Sequence, residues 1–116
     1  MDVYHGWCDL KPGVSDTAFA EHVAAYMGHL KEQGLIAGWR LMRRKLGLGP
    51  AGLGEFHIMI EVTGLAQLDQ AFGRVASRRD PAEAFHHGVN SLASNATFAL
   101  YRDFPDPARH RGEERF

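Results

Sequence analysis

Phe56-His57-Ile58-Met59-Ile60-Glu61-Val62 is the most regular stretch of this 116-residue chain, and its reading decides the fold. Phe56, Ile58, Ile60 and Val62 alternate with His57, Met59 and Glu61, so the period is two and residues 55–62 read as a strand. Successive side chains of a strand point to opposite faces. The all-apolar set therefore needs a covering layer, and the mixed set looks the other way.

Outward from that strand the periods change. Residues 47–54 carry four glycines and a proline, a loop composition. Before them, residues 36–46 alternate imperfectly and predict an edge strand guarded by its charges. Residues 3–10 are rich in aromatics and β-formers, with Lys11-Pro12-Gly13 as their stop. Ser15 then offers a helix N-cap, and Asp16 sits where the positive end of the helix dipole favours it. Phe19, Val23, Tyr26, Met27 and Leu30 follow at helical spacing until Gly34. Leu65, Leu68, Phe72 and Val75 mark a second helix. Asp80-Pro81-Ala82-Glu83 restarts it, with Asp80 as cap, Pro81 at the first helical position and Phe85, Val89 and Leu92 inward. A last strand is expected over 96–103. Strand, helix, strand, strand, helix, strand is the order of a ferredoxin-like α+β sandwich: an antiparallel four-stranded sheet with its helices on one face.

The chain fits one domain over residues 1–104, able to bury roughly 65% of its unfolded surface. Residues 105–116 are proline-spaced and charge-mixed, expected as a mobile or partner-ordered tail. A formal net charge of −1 gives no reason to expect nucleic acid or an anionic membrane as partner. No apolar run approaches a membrane span, and Asp2, His5 and Asp9 break the pattern of a signal peptide, so the cytoplasm is the expected location. One cysteine, Cys8, excludes an intrachain disulfide and reads as a small buried hydrophobe. No cofactor is implied.

The face away from the helices carries the functional expectations. Alternation sends His5, Trp7 and Asp9 there from the first strand, and Arg40, Met42 and Arg44 from the second. The third strand adds His57, Met59 and Glu61, and the fourth Ala99, Tyr101 and Asp103. Exposed together, Trp7, Met42, Met59 and Tyr101 form a costly apolar patch, most economically covered by a second copy of the chain, so a homodimer is expected. In pattern and topology the chain resembles the dimeric α/β-barrel superfamily, which includes cofactor-independent monooxygenases and chlorite-dismutase-like proteins. The resemblance implies a barrel between facing sheets, enclosing a small organic molecule.

His57 is then the candidate acid/base group, with Glu61 to orient it, because a histidine near a carboxylate titrates near neutrality. Trp7, Met42, Met59 and Tyr101 would supply apolar walls, with His5 and Arg40 holding polar ligand atoms. The reaction class implied by the fold is cofactor-independent oxygenation or isomerisation. Two other readings stay open. The cluster is a satisfied network inside a non-enzymatic dimer, or His5, His57 and Glu61 form a two-His-one-carboxylate metal site. Arg40, Arg43, Arg44 and Lys45 read as a solvated edge rather than a phosphate cradle, since the adjoining loop joins two strands. Glu83-Ala-Phe-His86 has di-iron spacing but lacks the further carboxylates. His22 and His29 read as boundary positions of the first helix.

Overall fold

The computed structural model describes residues 1–105, and most of the tail predicted at 105–116 lies outside them. Its elements run β1 (Asp2–Leu10), α1 (Asp16–Glu32), β2 (Gly38–Arg43), β3 (Phe56–Val62), α2 (Leu65–Ala76), α3 (Ala82–Asn90) and β4 (Ala93–Arg102). The four strands form one antiparallel sheet in the order β2-β3-β1-β4. This is the ferredoxin-like arrangement, with β2 and β4 at the edges.

α1 is the anchor of the helix layer. Ser15 accepts a hydrogen bond from the Ala18 amide at 3.3 Å, capping the helix as its sequence predicts. Phe19, Val23, Tyr26, Met27 and Leu30 are all buried, and Phe19 meets Phe56 of β3 edge-to-face with centroids 5.2 Å apart. α2 and α3 are separate short helices. Pro81, not Asp80, takes the N-cap place of α3, and no side chain caps it, so the expected capping box does not form.

β2 is shorter than predicted. Arg43 ends it and is tied to Asp16 at 2.9 Å and Glu55 at 3.2 Å. Arg44, expected on the open face, turns into the glycine loop and donates to the carbonyl of Leu53 at 2.6 Å. The loop has further ties. Asp9 accepts from the Glu55 amide at 2.9 Å and from the Asn95 amide group at 3.0 Å. Asn95 lies in the left-handed region (φ 53°), where the β1–β4 register slips, and Asn tolerates this conformation because its short polar side chain bonds locally. These hydrogen bonds hold the Asp9 carboxyl below the ordinary carboxylate range. Gly54 is required by contact: a Cβ there would stand 2.5 Å from the Cys8 carbonyl carbon.

Candidate functional site

Register builds the open face. His5 pairs across β1–β3 with Met59, and Trp7 pairs with His57; on β2, Arg40 lies opposite Met59 and Met42 opposite His57. Tyr101 lies opposite Val3 on β4. His5 and His57 are thus diagonal neighbours on one face, within reach of each other. His5 Nδ1 and His57 Nε2 stand 2.8 Å apart, one nitrogen donating and the other accepting. Ring planes only 20° apart and centroids at 5.0 Å make the two imidazoles nearly coplanar, end to end. The Trp7 indole lies parallel to His57 at 4.5 Å, and Tyr101 meets His5 edge-on at 5.2 Å.

Both imidazoles are half-buried. Burial pushes both pKa values below the ordinary 6.5, and a charge on His5 lowers His57 further. The neutral pair is therefore the resting form at neutral pH, competent to share or relay a single proton.

The structure does not bring all the predicted residues together. Glu61 is four residues along β3 from His57, about 13 Å at the rise of a strand. It lies opposite Val3 and Gly38 instead. The partner that orients His57 is His5, not Glu61. The same separation keeps His5, His57 and Glu61 from forming one metal site, and among the described residues no group of three or more His, Cys, Asp or Glu side chains stands close enough to hold a metal. Arg40 is exposed on the face, while Met42 and Met59 are half-buried. A shallow hollow of about 190 Å³ opens beside Trp7, Met42 and His57, under Leu48, Pro50 and Leu53 of the glycine loop.

A larger hollow lies on the opposite face of the sheet, where none was predicted. A cavity of about 290 Å³ separates the sheet from α2 and α3, walled by Tyr4, Ile58, Ile60 and Phe98 below, by Leu68, Phe72, Val75 and Val89 above, and by Tyr26 and Met27 of α1. It exists because the helix layer is uneven. α1 packs tightly, whereas α2 and α3 stop short of β4, leaving Phe98 62% and Leu100 49% exposed although they lie on the helix side. Tyr4 stacks on Phe98 at 5.7 Å and meets Phe72 edge-on at 5.2 Å, forming the outer wall. Its sequence signal is small residues facing the helices: Gly6, Ala93 and Ala96 line the cavity floor.

The model of a family of unknown function (DUF6614) matches residues 1–116, so the chain belongs to that family. No curated protein matches it. Among solved structures, it is similar to SnoaB, a cofactor-independent oxygenase from Streptomyces nogalater (TM-score 0.69, 8% identity, covering 93% of this chain and 97% of that one). A protein from Arabidopsis thaliana, At3g17210, aligns with TM-score 0.72 and 10% identity over 91% of this chain and 98% of its own. A dimeric ferredoxin-like protein of unknown function from Jannaschia sp. CCS1 aligns with TM-score 0.65 and 10% identity, over 89% and 100%. At these identities the likeness carries the fold alone.

Proposed function

We propose that this member of the DUF6614 family binds a small, largely apolar organic molecule in the cavity between its sheet and its α2–α3 roof, and that it does so as a homodimer joined through the open face of the sheet. The observation that carries the reading is the cavity itself. Its volume is near the lower end of small-molecule pockets, its walls are mainly aromatic and aliphatic, and few polar groups interrupt them. A sheet with Trp7, Met42, Met59 and Tyr101 on its outer face supports the dimer, as does the dimeric ferredoxin-like neighbour. The oxygenase neighbour makes cofactor-independent oxygenation the first reaction class to assay.

Saturation-transfer NMR of the full chain against a panel of mono- and bicyclic aromatic and alicyclic compounds tests the binding. Several are expected to bind, and methyl spectra of the protein recorded with each binder are expected to show shift changes on Ile58, Ile60 and Val89. A panel that binds nowhere, or only outside these residues, overturns the assignment.

One observation favours a second reading, acid–base chemistry on the open face. His57 is hydrogen-bonded to His5 at 2.8 Å and borders the hollow under the glycine loop. In this reading His57 moves the proton, while His5, Trp7, Met42, Met59, Tyr101 and Arg40 surround the ligand. Glu61 stands apart from the reacting group. A His57→Gln variant that retains full turnover of any substrate found removes this reading.

A further inference from the structure

The cavity has a polar end. Tyr26 of α1 is only 8% exposed, forms part of the cavity wall and meets the His86 ring of α3 edge-on at 5.9 Å. Asn90, one helical turn beyond His86 on the same face of α3, lines the cavity as well. Among the described residues no group forms a hydrogen bond with the Tyr26 hydroxyl, and its oxygen is not sealed from solvent. Burial, with Glu83 nearby, pushes its pKa up to about 12. The phenol therefore keeps its proton throughout the neutral range and is a standing donor.

A hydroxyl that exchanges water for a ligand's acceptor gains most beside an apolar cavity, where the hydrogen bond is electrostatically stronger than in bulk water. Elsewhere the cavity presents mainly aromatic rings and aliphatic chains, with Tyr4 the other phenol among its walls. Resting on the cavity reading above, we infer that the ligand is an apolar molecule bearing one hydrogen-bond-accepting oxygen, a carbonyl above all, and that the Tyr26 hydroxyl donates to it, with the Asn90 amide beside it as second donor. Tyr26 is then the residue that sets the ligand's orientation. The apolar frame lies toward Tyr4, Phe72 and Phe98, with the oxygen toward α3.

The test compares two probes of one shape, 1-tetralone and tetralin, titrated by calorimetry into the full-length chain and into Tyr26→Phe, which keeps the ring and loses only the hydroxyl. Tyr26→Phe is expected to weaken the ketone by about threefold to tenfold, the worth of one neutral hydrogen bond, and to leave the hydrocarbon unchanged. Equal effects on both probes, or no effect on either, overturn the assignment of Tyr26. If neither probe binds the natural chain, the cavity reading fails, and the inference with it. A second measurement needs no variant: the infrared carbonyl band of 1-tetralone bound to the natural protein. A band shifted to lower frequency than in cyclohexane supports the donated hydrogen bond, and an unshifted band overturns it.

Discussion

The two faces of the sheet solve the problem of exposed apolar surface in different ways. The helix face is covered by the chain's own segments, completely under α1 and incompletely under α2 and α3, where the shortfall is a cavity. Among the described residues the open face has no helix over it, and the glycine loop covers only the margin beside Trp7, Met42 and His57. Instead that face carries a cluster of rings, with His5 and His57 joined end to end, Trp7 stacked on them and Tyr101 at their edge. An aliphatic face exposed to this extent would aggregate. A face of imidazole, indole and phenol tolerates water when free and packs when covered, because each ring has an apolar body and a polar tip. The difference separates what folding completes from what association completes.

The sharpest break of this comparison is at its best-packed point. Phe19 is fully buried against Phe56, and Phe19→Ala is expected to cost about 3–5 kcal/mol in urea unfolding. A loss below about 1 kcal/mol would show that the α1 half is no better packed than the α3 half.

Trp7→Ala acts on the other face. If the sheet pairs with a second copy, loss of this central ring should weaken dimerisation by about thirtyfold or more, the effect of removing an interface hot spot. Sedimentation velocity over a dilution series measures it. An unchanged dimer would place the interface elsewhere.

Acid should also distinguish the faces. His5 and His57 have lowered pKa values when folded, so the unfolded chain binds more protons as pH falls below about 6.5. The stability they contribute is complete above that value and is lost as pH falls through the depressed folded-state range. A His5→Gln, His57→Gln double variant should flatten this part of the pH profile in thermal unfolding, and an identical slope would remove the pair from the account.

The smallest expected effect on stability comes from filling the cavity. Val89→Phe adds volume where space is free, so stability should change by no more than about 1 kcal/mol, while binding of 1-tetralone is abolished. Retained binding would mean that the probe occupies the open-face hollow.

Much of the open face was legible in advance, because strand alternation is a property of the backbone. His5, Trp7, Arg40, Met42, His57, Met59, Glu61 and Tyr101 carry their faces in their sequence parity, and the register keeps them there. Which of them touch depends on register and distance. Glu61 shares a face with His57 but lies too far along the strand, whereas His5, on another strand, is its hydrogen-bond partner.

By itself, then, the sequence determined the order of the elements, the ferredoxin-like sheet and the two kinds of face, since these follow from periods of 2.0 and 3.6 and from local capping and turn residues. Tertiary structure alone decided that the larger hollow lies under α2 and α3, that the glycine loop is tied down by Asp9, Arg44 and Asn95, and that the Tyr26 hydroxyl has no hydrogen-bond partner among the described residues. Each of these depends on the gap left between elements distant in the chain. Packing sets that gap through summed side-chain volumes and helix lengths, which no local pattern encodes.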